Sequence, residues 1–175
     1  NSGKIKGSRL NTKNNLSLLE LTRKGFKVST NPRVFLLGSP ISYEANEILR
    51  LIEEHIQIVG DFNCGLSRFL NIKIEEKNIC GLRKTYYNQP PCILKRPNDE
   101  FYIWIDAQIK ELKCAGVIAW TLDYCDVYEF ELRRIESKIG LPMLRLRSDF
   151  SSENLGQLKT RIGAFGEMLK SELPE

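Results

Sequence analysis

One histidine, His55, serves the whole 175-residue chain, so a Ser-His-Asp relay has almost nothing to be built from. No CxxC pair occurs, which removes the close ligand pairs of a self-contained zinc site. Neither GxGxxG nor a Walker pattern is present, which argues against a flavin- or nucleotide-binding domain of the usual kind. No apolar run approaches the roughly 20 residues that span a bilayer, so no membrane association is expected. A secretory n-region/h-region pattern is also missing, and the start reads as a fragment end rather than a natural one.

What is present is a globular composition. The hydrophobic share is 42% and the charged share 27%, enough for one domain with a real core. The net charge of +4 is unevenly placed. Residues 1–33 hold eight Lys/Arg against the single acid Glu20, and the remainder is slightly acidic. A basic leader, 1–31, therefore precedes a near-neutral domain, 32–175. It lacks the interleaving of basic and aromatic residues that would suggest nucleic-acid binding. Within it Leu16–Leu21 is the one apolar patch, a candidate docking helix ended by Pro32. The five cysteines (64, 80, 92, 114 and 125) are odd in number and widely spaced. That is not a disulfide framework, and it suits a reducing cytoplasm.

The chain is organised around Gly116–Phe130, GVIAWTLDYCDVYEF. Gly116–Leu122 reads as a strand covered on both faces. Asp126 and Glu129 resemble a capping box, and Tyr128, Leu132, Ile135 and Ile139 recur at helical spacing behind them. Cys125 thus lies between the carboxyl end of a strand and the start of a helix. Open α/β sheets bind ligands at that edge. A helix N-terminus favours negative charge, and thiolate is the form of cysteine that binds metal or attacks. The same position also suits a purely structural cysteine.

The remaining elements fall in order. Arg33–Ser39 is a continuous apolar strand, and Ser42–His55 a helix with Ser42 as its N-cap. Ile56–Gly60 is a second strand, followed by Asp61. His55, at the turn between them, reads as an exposed end residue. DFNCGLSRFL, with Cys64, continues into a short helix. Residues 71–98 read as irregular and contain the QPPC turn ending at Cys92, either functional or a surface excursion with a buried cysteine. Asp99–Cys114 is a helix, Met143–Leu146 a fourth strand, and Ser152–Leu169 a last helix. Three glycines, Gly156, Gly163 and Gly166, in that last helix suggest close backbone packing. The inventory predicts an α/β domain with a small parallel sheet in the order 2-1-3-4 and helices on both faces. That is a Rossmann- or flavodoxin-like arrangement with its switch point between the first and third strands. Ser39, Asp61, Cys64, Tyr124, Cys125 and Ser148 would surround one crevice there.

Five separated blocks, PRVFLLGSPI, IVGDFNCGLSRFL, QPPC, GVIAWTLDYCDVYEFEL and GLPMLRLRSDFSSENLGQLKTRIGAF, occur in this order. Together they resemble the C-terminal part of the 2-hydroxyacyl-CoA dehydratase / benzoyl-CoA reductase family (2-hydroxyglutaryl-CoA dehydratase D-component), over about residues 32–170. Departures are local: Phe62 follows Asp61 where a second acid is usual, Val127 replaces a common Pro, Arg147 a frequent acid, and Phe150 a Tyr. The resemblance implies an oxygen-sensitive cytoplasmic enzyme of anaerobes, built with a related second subunit. It implies an iron–sulfur cluster, commonly 4Fe–4S, held by three cysteines, and a separate ATP-hydrolysing iron–sulfur activator that injects an electron. The electron passes to the thioester carbonyl of an acyl-CoA, and in dehydratases the resulting ketyl radical expels the 2-hydroxyl group. Cys125 matches a ligand position of the family, and Cys64 and Cys92 lie in matching blocks. The other ligands are expected from an N-terminal domain outside this stretch, so the stretch alone is expected to hold no cluster and to be inactive. The alternative is a non-catalytic flavodoxin-like module for subunit assembly or electron-carrier docking.

Overall fold

The computed structural model describes residues 30–41, 46–64, 74, 76–87, 92–149 and 154–172. The chain divides into two units, Asn1–Thr30 and Asn31–Glu175, and all but the last residue of the first unit lie outside the described set. The proposed leader helix, the Ser42 cap, the short helix after Cys64 and residues 89–91 of the QPPC turn also lie outside it.

Strand β1, Arg33–Gly38, is the apolar run RVFLLG, buried from its second residue onward. Helix α1, Asn46–His55, leads to strand β2, Gln57–Asn63. Beyond β2 a short helix α2 spans Ile79–Tyr87 and a longer one, α3, Asp99–Glu111. Strand β3, Gly116–Leu122, has the bounds read from the sequence. Helix α4, Asp126–Ile139, strand β4, Met143–Ser148, and helix α5, Leu155–Glu172, complete the order. The four strands form one all-parallel sheet in the order β2-β1-β3-β4, as the sequence implied.

Side chains alternate across a strand, and both faces of this sheet are covered. Val34, Leu36, Ile118, Trp120 and Leu146 pack beneath α1 and α5, with Ile52, Ile162 and Leu169 from those helices. Phe35, Leu37, Val117 and Ala119 face the other way, onto α3 and α4, against Phe101, Ile105, Leu132 and Ile135. Burying one such aliphatic side chain is worth about 1.5–3 kcal/mol. Consecutive apolar residues in β1 and β3 therefore supply two cores at once.

Several boundaries differ from the sequence reading. β2 runs three residues past Gly60, because Asp61, Phe62 and Asn63 pair with Leu36, Leu37 and Gly38; Asp61 lies within the strand rather than after it. β4 likewise extends to Ser148. Residues 71–98 are not wholly irregular, since they contain α2, where Asn78 Oδ1 accepts the Gly81 amide at 2.7 Å. The capping-box reading fails. Cys125 is the N-cap residue and makes no side-chain cap bond, while Glu129 instead accepts a 2.7 Å hydrogen bond from Thr121 Oγ1. Of the three glycines in α5, close packing accounts for Gly166, whose absent Cβ would stand 3.1 Å from His55 Cβ and 3.2 Å from Ile56 Cγ1. His55 is half-buried there, at the amino edge of the sheet.

Candidate functional site

The carboxyl edge is organised at the junction of β1 and β3, where the strand order reverses. Gly38 sits at φ +140°, and a Cβ on it would lie 1.8 Å from the Trp120 carbonyl oxygen, so only glycine lets β1 turn off this close to β3. The next residue, Ser39, donates its amide to Trp120 O at 2.7 Å, and its Oγ accepts the Leu122 amide at 3.1 Å. Ser39 is fully buried, so it closes the floor of the junction rather than facing solvent.

Above that floor the loop Asp123–Cys125 links β3 to α4. Three contacts hold it. The Asp123 amide donates to Ser148 O at 2.9 Å, the Cys125 amide donates to Leu122 O at 3.0 Å, and the Asp123 carboxylate pairs with Arg147. The pair with Asp123 raises the pKa of Arg147 above its ordinary value, first through the hydrogen bond and then through charge. Tyr124, between these anchors, has φ +65° and is 93% exposed. A non-glycine residue in that region costs about 1 kcal/mol and persists only where its surroundings impose it.

The cysteines divide by edge. Cys125 heads α4 half-buried, against the cluster that lies between the sheet and α3/α4. Cys64 follows β2 against the same cluster. Its amide donates to Gly38 O at 2.9 Å and its thiol to the Tyr128 hydroxyl at 3.6 Å, one turn along α4 from Cys125. Cys92 is half-buried and precedes Ile93, which is buried in that cluster. Since α3 returns the chain to the amino end of β3, the segment before α3 belongs to the carboxyl edge as well. Cys114 lies at the opposite edge, where burial pushes its thiol up to about 11 despite the charge of Arg33, so it stays protonated at neutral pH. Cys80 is exposed on α2.

The sequence reading missed Glu131, on the inward face of α4. Its carboxylate is fully buried and takes a hydrogen bond from Tyr102 of α3, a 2.6 Å ion pair from Arg96 and a 2.8 Å ion pair from Arg134. Burial alone would raise its pKa, but the bonds from Tyr102 and Arg96 and the two positive charges outweigh it and hold the carboxyl below its ordinary range. Tyr102 is raised, by burial and then by Glu131. The signal was available: Glu131 stands three residues after Tyr128, on the same helix face, but a charged residue is assigned to the solvent side by default.

Of the other residues expected to line the crevice, Ser148 is buried, while Asp61 is exposed on β2 opposite Leu36, two pairs short of the edge. Two surface depressions of about 540 and 510 Å³ lie on α2, lined by residues such as Ile79 and Leu82 or Arg83 and Tyr87. The edge offers thiols of the right chemistry for an iron–sulfur group. Among the described residues, however, no three His, Cys, Asp or Glu side chains stand together as a ready metal site. No helix among them is long and apolar enough to cross a membrane.

Comparison with known proteins adds the context that geometry lacks. A protein of Escherichia coli strain K12 named as a dehydratase subunit, YjiM, is 28% identical over 152 residues, covering 83% of this chain and 40% of that protein. The (R)-phenyllactyl-CoA dehydratase beta subunit of Clostridium sporogenes is 28% identical over 143 residues, covering 78% of this chain and 38% of that subunit. The chain thus spans about two fifths of the length of these relatives. The family described as 2-hydroxyglutaryl-CoA dehydratase, D-component, matches residues 10–169. The chain belongs to that family.

Proposed function

We propose that this chain is part of an iron–sulfur 2-hydroxyacyl-CoA dehydratase, or of a benzoyl-CoA reductase-like enzyme, and that its carboxyl edge helps to hold the cluster. The observation that carries this reading is the placement of Cys125, unengaged in capping at the head of α4, with Cys64 packed against the same apolar cluster. Cys125 would supply one thiolate, Cys64 or Cys92 is the candidate to join it, and the remaining ligands would come from outside the described residues. A cluster bound there would deliver one electron to an acyl-CoA thioester and, through an open iron site, polarise an oxygen of the substrate. Tyr124 and Asp61, both exposed, would face the substrate, while the buried Ser39 and Ser148 would shape the crevice wall. The partners in this reading are a related second dehydratase subunit and an ATP-hydrolysing iron–sulfur activator, in the cytoplasm.

The absence of a preassembled three-ligand group among the described residues favours a second reading, a non-catalytic module for subunit assembly or electron-carrier docking. Anaerobic reconstitution of the full-length protein with iron and sulfide separates the two. The dehydratase reading expects a brown, oxygen-labile protein with broad visible absorption. A colourless, air-stable protein that retains no iron would leave the module reading.

A further inference from the structure

Among the described elements, only α2 contributes no residue to either core. Gly81 alone of its residues is buried, and no strand or other described helix packs extensively on it. Yet α2 is not a polar helix. Ile79 is 79% exposed, Tyr87 72% and Leu82 37%. Ile79 and Leu82 line the depression of about 540 Å³ and Tyr87 the one of about 510 Å³, so these side chains border hollows rather than stand singly on a flat surface. Lys95 Nζ stands 4.6 Å from the centre of the Tyr87 ring, which ties the turn carrying the exposed Leu94 to the same helix. A helix this short is marginal in water by itself, because its nucleation costs more than so few hydrogen bonds return. Helix α2 therefore depends on a surface laid over it.

Charge and chain length select that surface. Residues 76–95 carry Lys77, Arg83, Lys84 and Lys95, all exposed, against one acid, Glu76. Residues 1–33 are themselves strongly basic and would be repelled, and a two-fold contact with a second copy would set the same cations against each other. The matched stretch is 40% of one relative and 38% of the other, so most of a full-length protein of this family lies outside it. A domain on the same polypeptide also meets α2 at high effective concentration, so a small patch suffices to hold it. We propose that α2 is the docking helix for the rest of the polypeptide, whose apolar surface, rimmed by Asp and Glu, closes over Ile79, Leu82 and Tyr87. The proposal rests on the family membership and is independent of iron binding.

The experiment uses the full-length protein with the photocrosslinker p-benzoylphenylalanine in place of Tyr87 or, separately, Leu82. Isotope-labelled and unlabelled protein are mixed and irradiated, and the joined peptides are identified by mass. The expected result is a cross-link within one molecule, to a segment outside this 175-residue chain. Cross-links to residues 1–29, 65–73 or 88–91, between labelled and unlabelled copies, or to a different protein would overturn the proposal, as would none at all. Amide hydrogen exchange over residues 79–87 then tests the acidic rim. The double variant Arg83→Glu, Lys84→Glu is expected to speed exchange there about tenfold, the scale of placing like charges face to face. Glu is as good a helix former as the residues it replaces, so the acceleration reports lost docking. Ile103→Glu, on the exposed face of α3, is expected to leave exchange in α2 at the wild-type rate. Unchanged exchange in the double variant, or equal acceleration in both proteins, would overturn the proposal.

Discussion

At the scale of single residues, Glu131 gives the sharpest test of how charge is accommodated. Its carboxyl is held below the ordinary value in the folded protein, so its contribution to stability is fully present above the unfolded carboxylate range and is lost as pH falls through the folded value. Replacing it by Gln removes the charge but keeps an acceptor for Tyr102. The two arginines it would leave are 58% and 63% exposed and can hydrate. The cost at pH 7 is therefore set at about 1–3 kcal/mol, below that of stranding a buried charge. Urea unfolding at pH 7 and in steps below about pH 4.5 should show the gap between wild type and Glu131→Gln closing as the solution is acidified. A gap that stays constant with pH would mean that the charge contributes nothing.

At the scale of elements, what the sequence revealed and what it hid follow from how each segment is buried. β3 was legible to the residue because it is covered on both faces and has no polar interruption before Thr121. The predicted consequence is a steep asymmetry. Ile118→Ala, in the centre of β3, should cost about 2–5 kcal/mol, and Ile103→Ala, exposed on α3, less than about 0.5 kcal/mol, both measured by urea unfolding. Similar losses at the two sites would contradict the burial assigned to β3. α2 was not legible, since of its residues only Gly81 is buried and no apolar stripe marks it. Gly60 and Asp61 look like a strand stop, yet pairing with β1 carries β2 through them. The capping role predicted for Asp126 and Glu129 failed because Thr121, at the end of β3, competes for the Glu129 carboxylate, a tertiary contact that no local pattern encodes.

At the scale of the whole molecule, parallel topology sorts the chemistry. The amino edge holds His55 and the protonated Cys114, and the carboxyl edge holds Cys64 and Cys125. The order 2-1-3-4 and the location of Cys125 were readable because alternating strands and helices and a strand–loop–helix pattern fix them. The buried Glu131 knot was not, because it ties α4 to Arg96 and Tyr102, which lie 29 or more residues earlier in the chain. The central claim is that this edge holds iron through Cys125. Its most direct test is the iron content of the full-length protein after anaerobic reconstitution, for wild type, Cys125→Ser and Cys114→Ser. If Cys125 is a ligand, Cys125→Ser loses most of the iron and Cys114→Ser keeps it. A Cys125→Ser protein that retains the wild-type iron content would contradict the claim.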